Sequence, residues 1–268
     1  MNEIIPKNWS QLQTILFDYE WDLTAPGCHR SPYAYRGLSE NYSDLKTGLM
    51  RIGGNYKELE SAILRNFQKY AKGNNIDNDS EWLWISIAQH HGLPTRLTDW
   101  TYSQYIALHF ATENIDKINK DGVIWCIDYM KVKEFLPERL KNILKNQGFK
   151  FNVELLEKNV KNLSELENLE KEHGEPFIVF LEPPSLDSRI INQYALFSFM
   201  SSADTLLSHW LKKYSDVYKK IIIPAHLKWE IRDNLDQANI NERILFPGLD
   251  GLCSWLKRYY SSRKPDKS

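Results

Sequence analysis

Cysteine is scarce in this 268-residue chain, and its three cysteines, Cys28, Cys126 and Cys253, lie far apart with no CxxC spacing. Neither a disulfide framework nor a thiolate zinc site is encoded, so a reducing compartment, the cytoplasm, is the expectation. Long apolar runs are missing as well. No stretch approaches the roughly 18 residues that a membrane span needs, and the opening segment MNEIIPKNWSQLQTILF carries an acid early and no uninterrupted apolar region, so no membrane partner is expected. An excess of one charge is also lacking. The 34 basic residues face 35 acidic ones, a formal net charge of -1, which gives no global pull toward nucleic acid or anionic lipid and leaves partners to be argued from local sites. There is no GxSxG elbow, no HExxH and no internal repeat.

What is present is core material. Hydrophobic residues make up 42% of the chain, with 9 Trp, 14 Tyr and 11 Phe, and a chain of this length buries about three quarters of its unfolded surface. One large domain, or a core with a sizeable insertion, is expected. Helical spacing marks residues 9–20, 56–71 and 81–91, the second with Leu59, Ile63, Phe67 and Tyr70 on one stripe and Gly73 at its end, the third preceded by Asp79 and Ser80 as caps. A T-x-x-Q capping box at Thr101–Gln104 predicts a further helix to about Thr112. Strands are expected at Tyr33–Leu38, at 123–128, at Pro176–Leu181, within Arg189–Phe199 and at Lys220–Ile223, with helices over 204–218, 225–238 and 249–260. Residues 131–172, rich in Lys, Glu, Asn and Leu, read as a helical insertion covered by solvent, and 261–268 as a loose tail. Helices early and strands later, without βαβ alternation, point to an α+β fold with mixed or antiparallel central β-structure flanked by helices.

Functional side chains are densest in the turn Gln89-His90-His91-Gly92-Leu93-Pro94-Thr95-Arg96-Leu97-Thr98-Asp99-Trp100-Thr101, set between two apolar helices. Adjacent helical histidines point about 100° apart, so His90 and His91 are not expected to chelate one ion, and no metal site is expected. Arg36, on a strand and directly before Gly37, suits anion capture, because a guanidinium grips phosphate bidentately and a glycine lets a ligand approach the backbone. The structural alternatives are an Arg36–Asp99 ion pair in the core and a local Arg96–Asp99 brace of the turn.

Five ordered segments, YRG at 35–37, AQHHGLPTRLTDWT at 88–101 with ALHFA at 107–111, DGVIWCID at 121–128, RIINQYALF at 189–197 and LFPGLDGL at 245–252, together resemble the FRG domain, named for a Phe/Tyr-Arg-Gly motif and carrying an HGxPTRLxDWT signature. The resemblance spans about 30–260. Thr98 stands where Leu is usual and Leu38 where Gln is common. The motif order is similar to that of ADP-ribosyltransferases and implies a fold of that type, with NAD as substrate, a dinucleotide or nucleotide ligand, and a protein or nucleic-acid acceptor; family members occur in bacterial and phage contexts linked to defence. Carried onto this chain, the resemblance implies Arg36, His91, Gln193 and, as a reserve acid, Glu242 as catalytic, with Tyr35, Arg36, Gly37, Thr95, Arg96, Asp99 and Trp100 binding the cofactor. Two other functions stay open: a non-catalytic nucleotide- or protein-binding sensor, and a nucleic-acid-acting enzyme using the basic patches Lys212-Lys213 and Arg258–Arg263.

Overall fold

The computed structural model describes residues 3–18, 30–42, 44–71, 80–145, 148, 150–185 and 187–263. Cys28, Gly73, Asp79, most of the 25–32 lead-in and the 264–268 tail lie outside them. Eight strands form one mixed sheet: β1 (Glu3–Ile4), β2 (Tyr33–Leu38), β3 (Thr98–Thr101), β4 (Gly122–Asp128), β5 (Phe151–Asn152), β6 (Ile178–Glu182), β7 (Ala195–Met200) and β8 (Tyr218–Ile223). Their order is β1-β8-β4-β2-β3-β7-β6-β5, antiparallel except at the two edges, where short β1 and β5 pair parallel with β8 and β6. Helices flank the sheet, which makes the fold α+β.

The strands form where sequence pattern and burial agree. β4 is apolar along nearly its whole length because both its faces are covered: Val123, Trp125 and Ile127 face one cluster with Trp210 and Leu211, while Ile124 and Cys126 face another with Ala107 and Leu108. β3, β1 and β5 are too short to announce themselves; β3 is polar but is held by four register pairs to β7.

One junction matters most. β2 pairs with β4 along all six of its residues, yet meets β3 at the single pair Tyr35↔Thr101. The sheet is therefore two four-strand halves, β1-β8-β4-β2 and β3-β7-β6-β5, that part beyond that contact.

The helix Gln104–Thr112 lies close on β2 and β4, presenting Ala107 and Ala111 to Gly37 and Gly122. Its N-cap is Ser103, whose hydroxyl accepts from Ile106 N–H; the expected cap, Thr101, instead donates to the Gln193 carbonyl from the strand. The helix Tyr56–Ala71 occupies its expected span but is rotated, with Leu59 and Tyr70 exposed and Glu60 and Leu64 buried. The first helix is shorter than expected, Trp9–Phe17, capped by the Asn8 side chain. Residues 131–172 are helical for the most part but do not stand off in solvent: Leu140, Phe151, Leu156 and Leu166 are fully buried in one cluster with Trp82 and Phe199, whose rings stack at 5.0 Å.

Gly37 is fixed by this packing, because a Cβ there would stand 1.9 Å from the Ala107 carbonyl oxygen. Gly37→Ala is expected to lower the unfolding free energy by about 3 kcal/mol or more, read by chemical denaturation, since a helix backbone cannot yield as a side chain does.

Candidate functional site

Where β2 and β3 diverge, a cavity of about 510 Å³ opens between the two halves of the sheet, within the size range of small-ligand sites. Tyr35–Leu38 form one wall and Asp99–Thr101 with Ala195 and Phe197 the other. The Arg36 guanidinium reaches across the split: Nη1 donates to the Asp99 carbonyl at 2.6 Å and lies 3.6 Å from the Asp99 carboxylate, while Nε, shielded from solvent, has no hydrogen-bond partner among the described residues. The side chain is 21% exposed. Burial pushes its pKa down and the Asp99 charge opposes that, but the group is neither sealed nor saturated by protein acceptors.

Asp99 is held by a short relay. Leu97 N–H donates to Thr95 Oγ1, Thr95 donates to Gln89 Oε1 at 2.6 Å, and Gln89 Nε2 donates to both Asp99 carboxylate oxygens at 3.0 and 2.9 Å. Thr95 therefore acts through Gln89 and does not line the cavity. Arg36 also borders a second hollow of about 240 Å³, shared through Gln89, Gly92 and Asp99, whose far wall carries Lys46 and Arg51. These two cations lie 3.3 and 3.8 Å from Asp44. This annex is rich in positive charge, with Arg36 at the junction of the two spaces.

The large cavity's other end is differently charged. Glu40 pairs with Lys117 at 2.6 Å and Lys120 at 2.7 Å and accepts from the Tyr42 hydroxyl; these hydrogen bonds hold its carboxyl down to about 2. Glu113 lies 3.3 Å from the His109 ring. Behind this wall Lys228, fully buried, donates to the Ser39 and Lys117 carbonyls at 2.9 and 3.0 Å, and burial pushes its pKa down to about 8.

The expected residues divide. Tyr35, Arg36, Gly37, Asp99, Trp100 and Gln193 border the cavity. Trp100 is nearly buried, its ring N–H donating to Ser198, and the Gln193 amide donates to the Leu245 carbonyl at 3.1 Å. His91 does not border it: the helix Glu81–His90 ends one residue earlier, and one further turn step carries His91 into solvent while His90 faces the cleft. Arg96 is buried and bidentate to Glu60, at 2.8 and 2.5 Å, with a third bond to the Ser201 carbonyl, so it braces the turn from behind and its partner is Glu60 in place of Asp99.

Glu242 is also remote from the cavity. Its carboxylate accepts from Arg232 at 2.6 Å and from Arg258 at 2.7 and 2.9 Å; burial raises its pKa, but the two guanidiniums outweigh that and hold it down to about 2. Arg232 donates on to His109 Nδ1, and Arg258 is bidentate to Asp236, so one buried network ties four helices together. Arg258 is thereby lost to any basic surface patch, and Arg263 pairs with Asp233 at 2.6 Å.

Sequence reasoning passed over Glu40, Glu113 and Asp187, and gave Gln89 and His90, within the turn it singled out, no role of their own. Gln89 and His90 precede His91 at the end of a largely buried helix, where only the helix terminus decides which one faces inward. Among the described residues, no group of three His, Cys, Asp or Glu side chains could hold a metal ion, and no helix is long and apolar enough to cross a membrane.

The chain is thus an α+β protein whose mixed sheet parts around a polar cleft of ligand size. More particularly, it carries an FRG domain: the model of that family matches residues 31–120. The matched segment holds β2, β3, Arg36, Gln89, His90 and Asp99, whereas β7 and the segment from Asp187 to Gln193 lie beyond it. No curated protein and no solved structure matches the chain.

Two outcomes follow. Arg96→Ala leaves Glu60 buried without its partner and is expected to cost about 3 to 5 kcal/mol, whereas Arg36→Ala loses one charge-assisted bond near solvent and costs about 1 to 2, a contrast readable by urea unfolding. Lys228 binds its proton less tightly folded than unfolded, so between pH 8 and about 10.4 the unfolded chain holds more protons and stability rises with pH. Unfolding free energies of the wild type relative to Lys228→Met, measured at pH 7.5 and 10, are expected to shift in favour of the wild type at the higher pH.

Proposed function

We propose that the cleft binds a dinucleotide of the NAD type and cleaves or transfers its ADP-ribosyl group, in an ADP-ribosyltransferase-like arrangement. The observation that carries the reading is the Arg36 guanidinium, partly exposed at the junction of the large cavity and a cationic annex. A pyrophosphate suits that position, because two phosphoryl groups can be shared between Arg36 and the Lys46–Arg51 side. The half-buried ring of Phe110 offers an aromatic surface in the main cavity, and Gln193, Asn114 and Glu113 offer amide and carboxylate groups for ribose hydroxyls.

Breaking the bond between nicotinamide and ribose passes through an oxocarbenium-like state, which is favoured by fixed phosphates, ordered hydroxyls and negative charge near the anomeric carbon. In this reading Arg36 anchors the phosphates, Asp99 orients Arg36, and Gln193 orders the ribose. A cytoplasmic location, where NAD is held, and a protein or nucleic-acid acceptor belong to the same proposal.

A second reading, a sensor that binds nucleotide without turnover, is favoured by one observation: the cavity carboxylates are engaged, Glu40 with two lysines, Asp99 with Gln89 and Glu113 beside His109. Calorimetric titration with NAD and ADP-ribose, together with chromatography of released nicotinamide, separates the two. Saturable binding that weakens about 10- to 100-fold in Arg36→Ala is expected under both readings, and nicotinamide release under the first alone. Absence of binding by the wild type ends both.

A further inference from the structure

The pairing of His90 with Asp187 is used by nothing so far described. Their side chains meet at 2.5 Å, His90 Nε2 to Asp187 Oδ2, and the His90 ring is 9% exposed on the cavity wall. Asp187 is itself fixed, because its Oδ1 accepts from Ile190 N–H and caps the helix Ser188–Asn192. Burial raises the Asp187 pKa, but those hydrogen bonds hold it below the ordinary carboxylate value, so an anion faces Nε2. An anion can only accept, so Nε2 carries the ring proton. Nδ1 is then the basic nitrogen, and it has no hydrogen-bond partner among the described residues. A buried imidazole with one nitrogen locked by a carboxylate and the other free, at the rim of a ligand-sized cavity, is the arrangement that proton abstraction requires.

We propose that His90 is the general base of this cleft and Asp187 its positioning residue. The inference rests on the reading of the cavity as a site of N-ribosyl cleavage or transfer, and it supplies the proton acceptor that the engaged carboxylates do not. An attacking hydroxyl, of water or of an acceptor alcohol, forms its bond to the ribosyl anomeric carbon as the bond from that carbon to nicotinamide breaks. The electron pair of the broken bond goes to the pyridinium nitrogen, and nicotinamide leaves neutral. The hydroxyl proton passes to His90 Nδ1 and then to bulk water. Around this pair the His91 ring stands edge-on to His90 at 5.1 Å, and Arg36, Asp99 and Arg189 line the same cavity.

The test compares wild type, His90→Gln and Asp187→Asn for NAD binding by calorimetry and nicotinamide release between pH 5 and 9. Asparagine keeps the helix cap and removes only the charge. His90→Gln is expected to bind NAD within about threefold of wild type and to release nicotinamide at least about 100-fold more slowly. Asp187→Asn is expected to retain binding, lose about tenfold in rate and move the pH at which the rate levels off. Long-range nitrogen–proton NMR of the folded wild type is expected to show neutral His90 protonated at Nε2. An Nδ1-protonated ring, undiminished release by His90→Gln, or wild type that binds NAD without release overturns the inference while dinucleotide binding stands. Wild type that does not bind NAD removes that reading, and this one with it.

Discussion

The contact between the halves of the sheet at Tyr35 and Thr101 governs the architecture of the site. Had β2 and β3 paired along their length, the polar edges at the junction would have satisfied each other and closed the space between them. With one pair made, Arg36 reaches the Asp99 carbonyl across a gap where strand hydrogen bonds would otherwise lie. The same divergence gives the cavity its walls, and the bulk of the molecule keeps those walls apart: Gln104–Thr112 packs closely on β2, while β3 is anchored to β7 by four register pairs and by the Trp100–Ser198 bond.

Charge is distributed by the same logic. Buried charges outside the cleft are answered by protein groups, Arg96 by Glu60, Arg232 by Glu242 and Lys228 by two backbone carbonyls, because an unanswered ion in the interior is costly. Arg36 differs, with a side chain 21% exposed, its carboxylate partner as far as 3.6 Å and an opening on two hollows. The His90–Asp187 pair differs in a related way, since one imidazole nitrogen is spoken for and the other is free. Polar groups that reach a cavity rim, rather than being enclosed by their partners, mark a place where a ligand can be met.

The turn between helix and β3 shows how one motif divides its labour. Arg96 points back to Glu60 and holds the turn against the core; Thr95 and Gln89 hand hydrogen bonds forward to Asp99; His90 closes the helix on the cavity side. In sequence these residues are neighbours of similar polarity. Their roles separate because alternate strand positions and successive helix positions face different directions.

Pattern alone located much of this. Aromatic and β-branched runs marked β2 and β4, helical periodicity marked the spans 56–71 and 81–91, and the Arg-Gly pair with the His-to-Trp turn drew attention to the two segments that line the cleft. These are consequences of local chemistry, in which each residue's preference adds to its neighbours'. The inward turn of His90 in place of His91, the commitment of Glu242 and Arg96 to buried ion pairs, the need for Gly37 beneath the Ala107 carbonyl, and the partnership of His90 with a carboxylate 97 positions away were decided by tertiary structure. Which acid answers which base depends on how distant segments meet in space, and no spacing along one strand or helix carries that information.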